Sequence, residues 1–428
     1  MEIPRIYELF LKHAIVTTDS RNCPEGSLFF ALKGNNFNGN QYAQSALEKG
    51  CSYAIVDEPE FATNERIILV DDCLVALQQL ANYHRRKLKT PIIGITGTNG
   101  KTTTKELVAA VLAKEFNVAF TQGNLNNHIG VPLTLLKLTP ETEIAVVEMG
   151  ANHVGEIKML AEIAEPNFGL ITNVGRAHLE GFGSFDNIVK TKTELYDFIR
   201  NKKNGKLFVD IDNPILKEKS EGITSVSYGT DPNAFLRGRV VSNNPFIELE
   251  WTFLDNSYQV QTNLIGEYNF SNVMAAIAVG KFLGVKADDI CDALAEYRPT
   301  NNRSQLKKTG SNTLIVDAYN ANPTSMFAAL TNFNQIRGPK KAVILGDMLE
   351  LGEESDDEHE KVIDFIEKSL YEKVYLVGSQ FKKLSRNAPA FLTVEEMIEV
   401  LKKDPLSGYT LLVKGSHGIH LEKCIDVL

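Results

Sequence analysis

Along most of the chain, short unbroken apolar runs alternate with longer segments whose apolar positions recur every three or four residues. The first pattern reads as buried strand and the second as amphipathic helix. In residues 1 to about 88 the runs SLFFAL, YAIVDE and RIILVDD are the predicted strands. Among the helical segments there, CLVALQQLANYHRRKL places Leu77, Leu80, Ala81, His84 and Leu88 on one face. Thr90-Pro91 marks a boundary, because the residue before a proline is biased out of the helical region. From Pro91 to about Arg298 the runs IIGIT, EIAVVEM and FGLITNV alternate with helical segments, the mark of a largely parallel sheet. The polar stretch PTNNRSQ at 299–305 reads as a second linker. Beyond it TLIVDAY, KAVILGD, KVYLVG and YTLLVKG predict a second doubly wound unit. The expected fold is α/β throughout, in three domains spanning residues 1–89, 90–300 and 301–428.

Length agrees with that division, since 428 residues exceed what one core usually organises. A net charge of -9 gives no broad attraction to nucleic acid or to an anionic membrane, so anionic ligands must be held by local sites. The basic run HRRKLK closes a helical pattern, where cations suit the helix terminus. The N-terminal MEIPRIYELFLKH is interrupted by charge and does not read as a secretory signal. No apolar span approaches the ~18 residues a membrane helix needs. Five scattered cysteines without a CxxC pair suggest neither a disulfide framework nor a zinc site, and a reducing cytoplasm is the expected location.

One junction carries chemistry. In PIIGITGTNGKTTTKELVAAVL an apolar strand runs into Gly97-Thr98-Asn99-Gly100, whose glycines permit a tight turn and close backbone approach to an oxyanion. Lys101 is placed to reach a terminal phosphate, Thr102 offers a hydroxyl to Mg²⁺, and a helix beginning near Thr103 points its positive end at the ligand. The outer glycine of the general phosphate-loop pattern is absent. The next two strands end on Glu148 and, just beyond, on His178. In an open α/β sheet, that carboxyl edge is where ligands sit. A carboxylate beside Thr102 suits Mg²⁺, and an imidazole suits a second ion. In NIVKTKTELYDFI the pattern itself does not choose between Lys190 and Lys192, and a solvated helical face is the plain reading of both.

GTNGKTTT, TQGNLNNHIGVPLTLL, EMGANHVGEI, TNVGRAHLEGFGS, GEYNFSNVMAAIA, NNRSQ, VDAYNANPTS, LGDMLELGEES and LVKGSHG together resemble, in order and spacing, the Mur ligases, ATP-dependent amide-forming enzymes of peptidoglycan synthesis. The resemblance spans all three blocks, and the GTNGKT loop is that family's form. DAYNANP and LGDMLELGEES resemble the branch that adds D-Ala-D-Ala. The DNPR signature of the diamino-acid-adding branch is absent from the sequence.

The resemblance implies ligation of D-Ala-D-Ala to UDP-N-acetylmuramoyl-tripeptide through an acyl phosphate, the last cytoplasmic step of muramoyl-pentapeptide synthesis. It implies a UDP-binding N-terminal domain, a central ATPase domain with a mainly parallel sheet, and a Rossmann-like C-terminal domain closing on ATP and acceptor. ATP would lie on Gly97, Thr98, Asn99, Gly100, Lys101, Thr102 and Thr103, with Asn269 and Asn272 near adenine, Arg303 at the γ-phosphate and Asp317 at the ribose. Two Mg²⁺ ions are implied, one on Thr102 and Glu148, one on His178 beside a carbamylated Lys192. Ser20, Arg21, Lys33, Gly34 and Asn38 fall in the UDP-sugar segment. Asn124, Asn126 and Asn127 would hold the muramoyl peptide, and Tyr319, Asn320 and Asn322 would face the dipeptide. A monomer without nucleic-acid partner or membrane insertion is expected. The chain departs from the family at Asn38-Gly39-Asn40, where Asp-Gly-His is common, and at His417, which replaces an arginine. The rival classes are an amide ligase with another acceptor, such as a folate-type glutamate ligase, a P-loop ATPase coupled to movement, and a non-enzymatic nucleotide-binding protein. The segment TDSR…SLFFALKG argues against the folate type, and the joint presence of Lys101, Glu148, His178 and Lys192 argues against the last.

Overall fold

The apolar runs become three stacks of strands, each wrapped by helices. The computed structural model describes residues 2–300, 302–338 and 340–428, so the 300/301 boundary falls at a residue outside those described. In the first block the strands Val16–Thr17, Leu28–Phe30, Tyr53–Val56 and Ile67–Leu69 pair in parallel in chain order. The helix Cys73–Leu88 covers them, capped by the Asp72 carboxylate on the Val75 N–H. Its predicted face is buried at Leu77, Leu80, Ala81 and His84, while the basic run at its end is spent on structure. Arg85 and Arg86 both engage Glu165 of the next block.

The central sheet has nine strands. Ile92–Thr96 lies third from one edge, flanked by Phe168–Ile171 and Ile144–Glu148, all parallel. Apart from Thr96 and Glu148 at their carboxyl ends these strands carry no polar side chain, because helices cover both faces. The sheet is not parallel throughout: Leu236–Asn243, Phe246–Phe253 and Asn256–Ile265 form an antiparallel ribbon at one edge. Its signal is present in FIELEWTF, whose alternate residues Ile247, Leu249 and Trp251 are buried.

In the third block Thr313–Asp317, Thr410–Lys414, Lys341–Gly346, Lys373–Val377 and Ala390–Phe391 run parallel, with Gln305–Lys308 antiparallel at the edge. The carboxyl ends of Ile92–Thr96, Ile144–Glu148, Thr313–Asp317 and Thr410–Lys414 open onto a shared cleft of about 810 Å³. No helix among the described residues is long and apolar enough to cross a membrane.

Candidate active site

The floor of the cleft is the turn after Ile92–Thr96. Gly97 has φ +144° and Gly100 φ +77°, conformations that side-chain-bearing residues rarely adopt. A Cβ on Gly97 would stand 2.0 Å from Thr172 Oγ1. Gly97→Ala is therefore expected to destabilise the chain by about 2 kcal/mol and to weaken nucleotide binding, read as a lower Tm and a raised Kd for ATP. The helix starts at Lys101, two residues before the expected Thr103, because Gly100 completes the turn. Gly100 offers no side-chain cap, and the first N–H groups of a helix have no intrahelical acceptor, so they face the cleft free for an anion. Lys101 Nζ bends back to donate to the carbonyls of Gly97 and Thr98 at 2.7 and 2.9 Å. Burial, with Arg303 adding to it and Glu148 opposing, holds its ammonium down to about 8. The Thr98 hydroxyl donates to the Gly175 carbonyl at 3.2 Å, and the Asn99 N–H donates to Asn173 Oδ1 at 3.0 Å. Thr103 lines the cleft.

Glu148 ends its strand beside this loop. Its Oε1 accepts the Thr102 hydroxyl at 3.2 Å and the Asn126 amide at 2.8 Å, whereas the buried Oε2 has no hydrogen-bond partner. An orphaned buried carboxylate oxygen beside a hydroxyl is the donor set a hard divalent cation prefers, so Thr102 and Glu148 fit Mg²⁺. Among the described residues no three His, Cys, Asp or Glu side chains cluster to hold a metal alone, so phosphate oxygens and water would complete any such site. His178 adopts φ +51° and its Nδ1 contacts the Glu350 carboxylate of the third block.

Lys192 and Lys190, alike in sequence, differ in the fold. Lys190 is exposed, whereas Lys192 is buried, its Nζ 3.3 Å from the Ala151 carbonyl and 5.5 Å from the Phe182 ring centre. Burial, with Lys101 adding repulsion, pushes its ammonium well down. Glu194, the next acid on that helix, accepts the N–H groups of Gly155 and Lys158 and so anchors a neighbouring helix.

Asn269 and Asn272 stand on the cleft wall with their amides already engaged. Asn272 donates to Asn269 Oδ1 at 2.8 Å and accepts the Thr104 hydroxyl at 3.1 Å, while Asn269 donates to the Ile265 carbonyl at 2.9 Å. They brace the loop, since a Cβ on Gly100 would meet Asn272 at 2.5 Å. Arg303 lies with its guanidinium 3.9 Å from the Tyr319 ring centre, its buried Nε unpartnered. Tyr319 also stacks on His417, with ring centres 5.5 Å apart. Asp317 accepts the Lys414 ammonium at 2.6 Å, and Lys414 also donates to the Asn320 carbonyl at 3.1 Å. Lys414 and Glu350 sit in quoted motifs but were not singled out by sequence reasoning. Asn322 is not part of the cleft wall: it caps the helix Pro323–Gln335 and its amide donates to Asn99 Oδ1 at 2.8 Å, joining the phosphate loop to the third block. Asn124, Asn126 and Asn127 border the cleft, although Asn127 Oδ1 is occupied by the Ile129 and Gly130 N–H groups.

The first-block residues lie away from this cleft. Ser20 is buried, Arg21 pairs with Asp19 at 2.9 Å, and Gly34 is exposed. Lys33 pairs with Asp57 at 3.0 Å. The departure at Asn38-Gly39-Asn40 has a local reason. Asn38 donates to both oxygens of Glu58, where an aspartate would repel, and buried Asn40 exchanges hydrogen bonds with Asp57 at 2.8 and 2.9 Å.

This geometry agrees with known proteins. The descriptions Mur ligase family, catalytic domain, Mur ligase middle domain and Mur ligase, glutamate ligase domain match residues 12–85, 95–280 and 302–417. The UDP-N-acetylmuramoyl-tripeptide--D-alanyl-D-alanine ligase of Bacillus subtilis is 35% identical over 99% of this chain and 94% of its own. That of Escherichia coli is 34% identical over 96% and 93%. A crystal structure of MurF from Acinetobacter baumannii is similar with a TM-score of 0.87 at 32% identity, covering 96% of this chain and 92% of the other. MurF ligase from Thermotoga maritima in complex with ADP reaches a TM-score of 0.87 at 26% identity, with 97% of each chain covered. Matching domains along the length and relatives at this identity and coverage establish that the chain belongs to the Mur ligase family, as a MurF-like member.

Proposed function

We propose that the protein is an ATP-dependent ligase that joins D-Ala-D-Ala to UDP-N-acetylmuramoyl-tripeptide in peptidoglycan synthesis, acting as a cytoplasmic monomer. The observation that carries the reading is the cleft itself, where the phosphate loop and Glu148 of the central sheet face Arg303, Asp317 and Tyr319 of the C-terminal block. A carboxylate is a poor electrophile, so it attacks the γ-phosphate of ATP to give an acyl phosphate, and the acceptor amine then displaces phosphate. Such chemistry gathers anions, and catalysis consists of neutralising and aligning them.

In this reading the loop from Gly97 to Thr103 cradles the phosphates, Lys101 and Arg303 face the transferring group, and Asp317 meets the ribose. Asn269 and Asn272 shape the adenine side by bracing the loop. Asn124, Asn126 and Asn127 border the donor peptide. Tyr319 and Asn320 border the acceptor, and Asn322 serves it by holding the third block on Asn99. The UDP moiety lies on the N-terminal block near Ser20, Arg21, Lys33, Gly34 and Asn38. Mg²⁺, held by Thr102 and Glu148 and at a second position by His178 and carbamylated Lys192, supplies charge neutralisation at the phosphates.

Lys192 suits carbamylation because the uncharged amine is the form that combines with CO₂, and burial favours that form. The product is an anion beside Lys101, where an ammonium would be repelled. Degassed buffer is expected to lower activity, bicarbonate to restore it, and Lys192→Ala to ignore both. A ¹³C-bicarbonate signal that disappears in Lys192→Ala would locate the adduct.

The reading as a whole is tested by phosphate release from ATP and Mg²⁺. Release should require both UDP-muramoyl tripeptide and D-Ala-D-Ala, and UDP-muramoyl dipeptide with diamino acids should not replace them. Release without either substrate would make the protein an uncoupled ATPase and end the ligase reading.

A further inference from the structure

The reaction proposed above brings an ammonium into a cleft whose other charges are mostly committed. Lys101, Arg303 and Lys414 are cations, which repel it. Three of the acids on the wall are occupied. Glu148, with Oε1 accepting Thr102 and Asn126 and Oε2 buried and unpartnered, is the acid that fits Mg²⁺, Asp317 accepts Lys414, and Glu156 accepts the N–H groups of Asn152 and His153. Glu350 differs: its side chain is 53% exposed, and its one carboxylate partner among the described residues is the His178 imidazole.

Glu350 is also held firmly. The Met348 N–H donates to His359 Nε2 at 3.0 Å, the Leu349 N–H to Ser416 Oγ at 3.0 Å, and the Glu180 N–H to the Glu350 carbonyl at 3.4 Å. Asp347, at the root of the segment, accepts the N–H groups of Gln380 and Phe381. Glu350 itself adopts φ +64°, a left-handed conformation that a non-glycine residue keeps only when its surroundings impose it. The segment therefore presents one carboxylate into the cleft at a fixed point, beside the turn that carries His417.

We propose that Glu350 receives the α-ammonium of the incoming acceptor, so that charge places it beside the acyl phosphate; it gives one proton to solvent, and the neutral amine then forms the C–N bond as the acyl C–O bond to phosphate breaks, its second proton leaving to solvent. The assignment rests on the ligase reading. The contact with His178 marks where a nitrogen donor sits against this carboxylate, and the acceptor's ammonium is the donor that the second half-reaction supplies. ATP carries no such cation, so its binding does not involve Glu350; the donor's diamino third residue does carry an ammonium, and a rise in KM for the donor nucleotide in Glu350→Gln would overturn the assignment.

The test compares Glu350→Gln and Glu350→Asp with the unaltered full-length enzyme in two assays. One is ligation of D-Ala-D-Ala. The other replaces it with hydroxylamine, an amine uncharged at neutral pH that traps the acyl phosphate as a hydroxamate. Glu350→Gln should raise KM for D-Ala-D-Ala about 10- to 100-fold, the loss expected for a hydrogen bond to a charged group. KM for ATP should hold, hydroxamate formation should fall far less than ligation even though Glu350 touches His178, and Glu350→Asp should recover part of the loss. An unchanged KM for D-Ala-D-Ala would overturn the assignment, as would hydroxamate formation falling in step with ligation. If the unaltered enzyme itself formed hydroxamate yet failed to join D-Ala-D-Ala, the acceptor reading and this assignment would fall together, a result visible without any substitution.

Discussion

Replacing Lys101 with alanine is expected to lower kcat for tripeptide-dependent phosphate release by about 10³-fold, the scale of losing one preorganised charge partner. The chain should remain folded, because the side chain is only half-buried and its partners are the carbonyls of Gly97 and Thr98 on the floor of the cleft, which solvent can reach. Those carbonyls are where the side chain waits; a phosphate offers it a stronger, charge-assisted partner. A pH dependence follows. Burial holds the Lys101 ammonium down to about 8, and the charged form is the one that binds phosphate. ATP affinity should therefore be full below that value and fall as pH rises through it. Titration calorimetry on either side of that pH checks this, with Lys101→Ala as the flat control. An ATP affinity independent of pH in the unaltered protein would mean that Lys101 does not touch the nucleotide.

Glu148→Gln should be nearly as damaging to turnover, about 10²-fold or more, yet for a separate reason. The carboxylate is almost fully buried with Oε2 unpartnered and the Lys105 ammonium no nearer than 4.0 Å. Such an oxygen costs on the order of 1–3 kcal/mol until something satisfies it. The amide keeps the shape and removes the charge. In thermal melts, Mg²⁺ with ATP should stabilise the unaltered protein markedly and Glu148→Gln little, since ligand stabilisation follows affinity. Equal stabilisation of both would remove Glu148 from the metal site. This readout does not depend on turnover, so a defect in chemistry alone cannot mimic it.

What was legible in the sequence was local or followed from parallel-sheet geometry. The phosphate loop is one contiguous turn, so Gly97 through Thr102 could be placed from spacing alone. Glu148 and His178 were placeable because parallel strands deliver their carboxyl ends to one edge. What was not legible pairs residues far apart in the chain: Asp317 with Lys414, Asn99 with Asn322, His178 with Glu350. Each depends on how the third block docks on the second, which no periodicity encodes. The choice of Lys192 over Lys190 was similarly hidden, since burial is a property of what packs against the helix. The antiparallel ribbon at residues 236–265 did have a visible alternation, outweighed by the parallel pattern around it. The mutual hydrogen bonds of Asn269 and Asn272, and the one from Thr104 to Asn272, were likewise not visible in the sequence.

Two sheets aim their carboxyl edges into one cleft, and the two halves of the proposed chemistry divide along that line. Activation of the donor rests mainly on the central sheet, with Arg303 and Asp317 reaching ATP from beyond it, and reception of the amine belongs to the sheet behind Glu350 and Tyr319. Inheritance can then act on the halves separately. A lineage that exchanged the segment after the 299–305 linker would acquire a new nucleophile while keeping its way of energising an acid, so a single ancestral activation module can be reused for successive additions to one growing peptide.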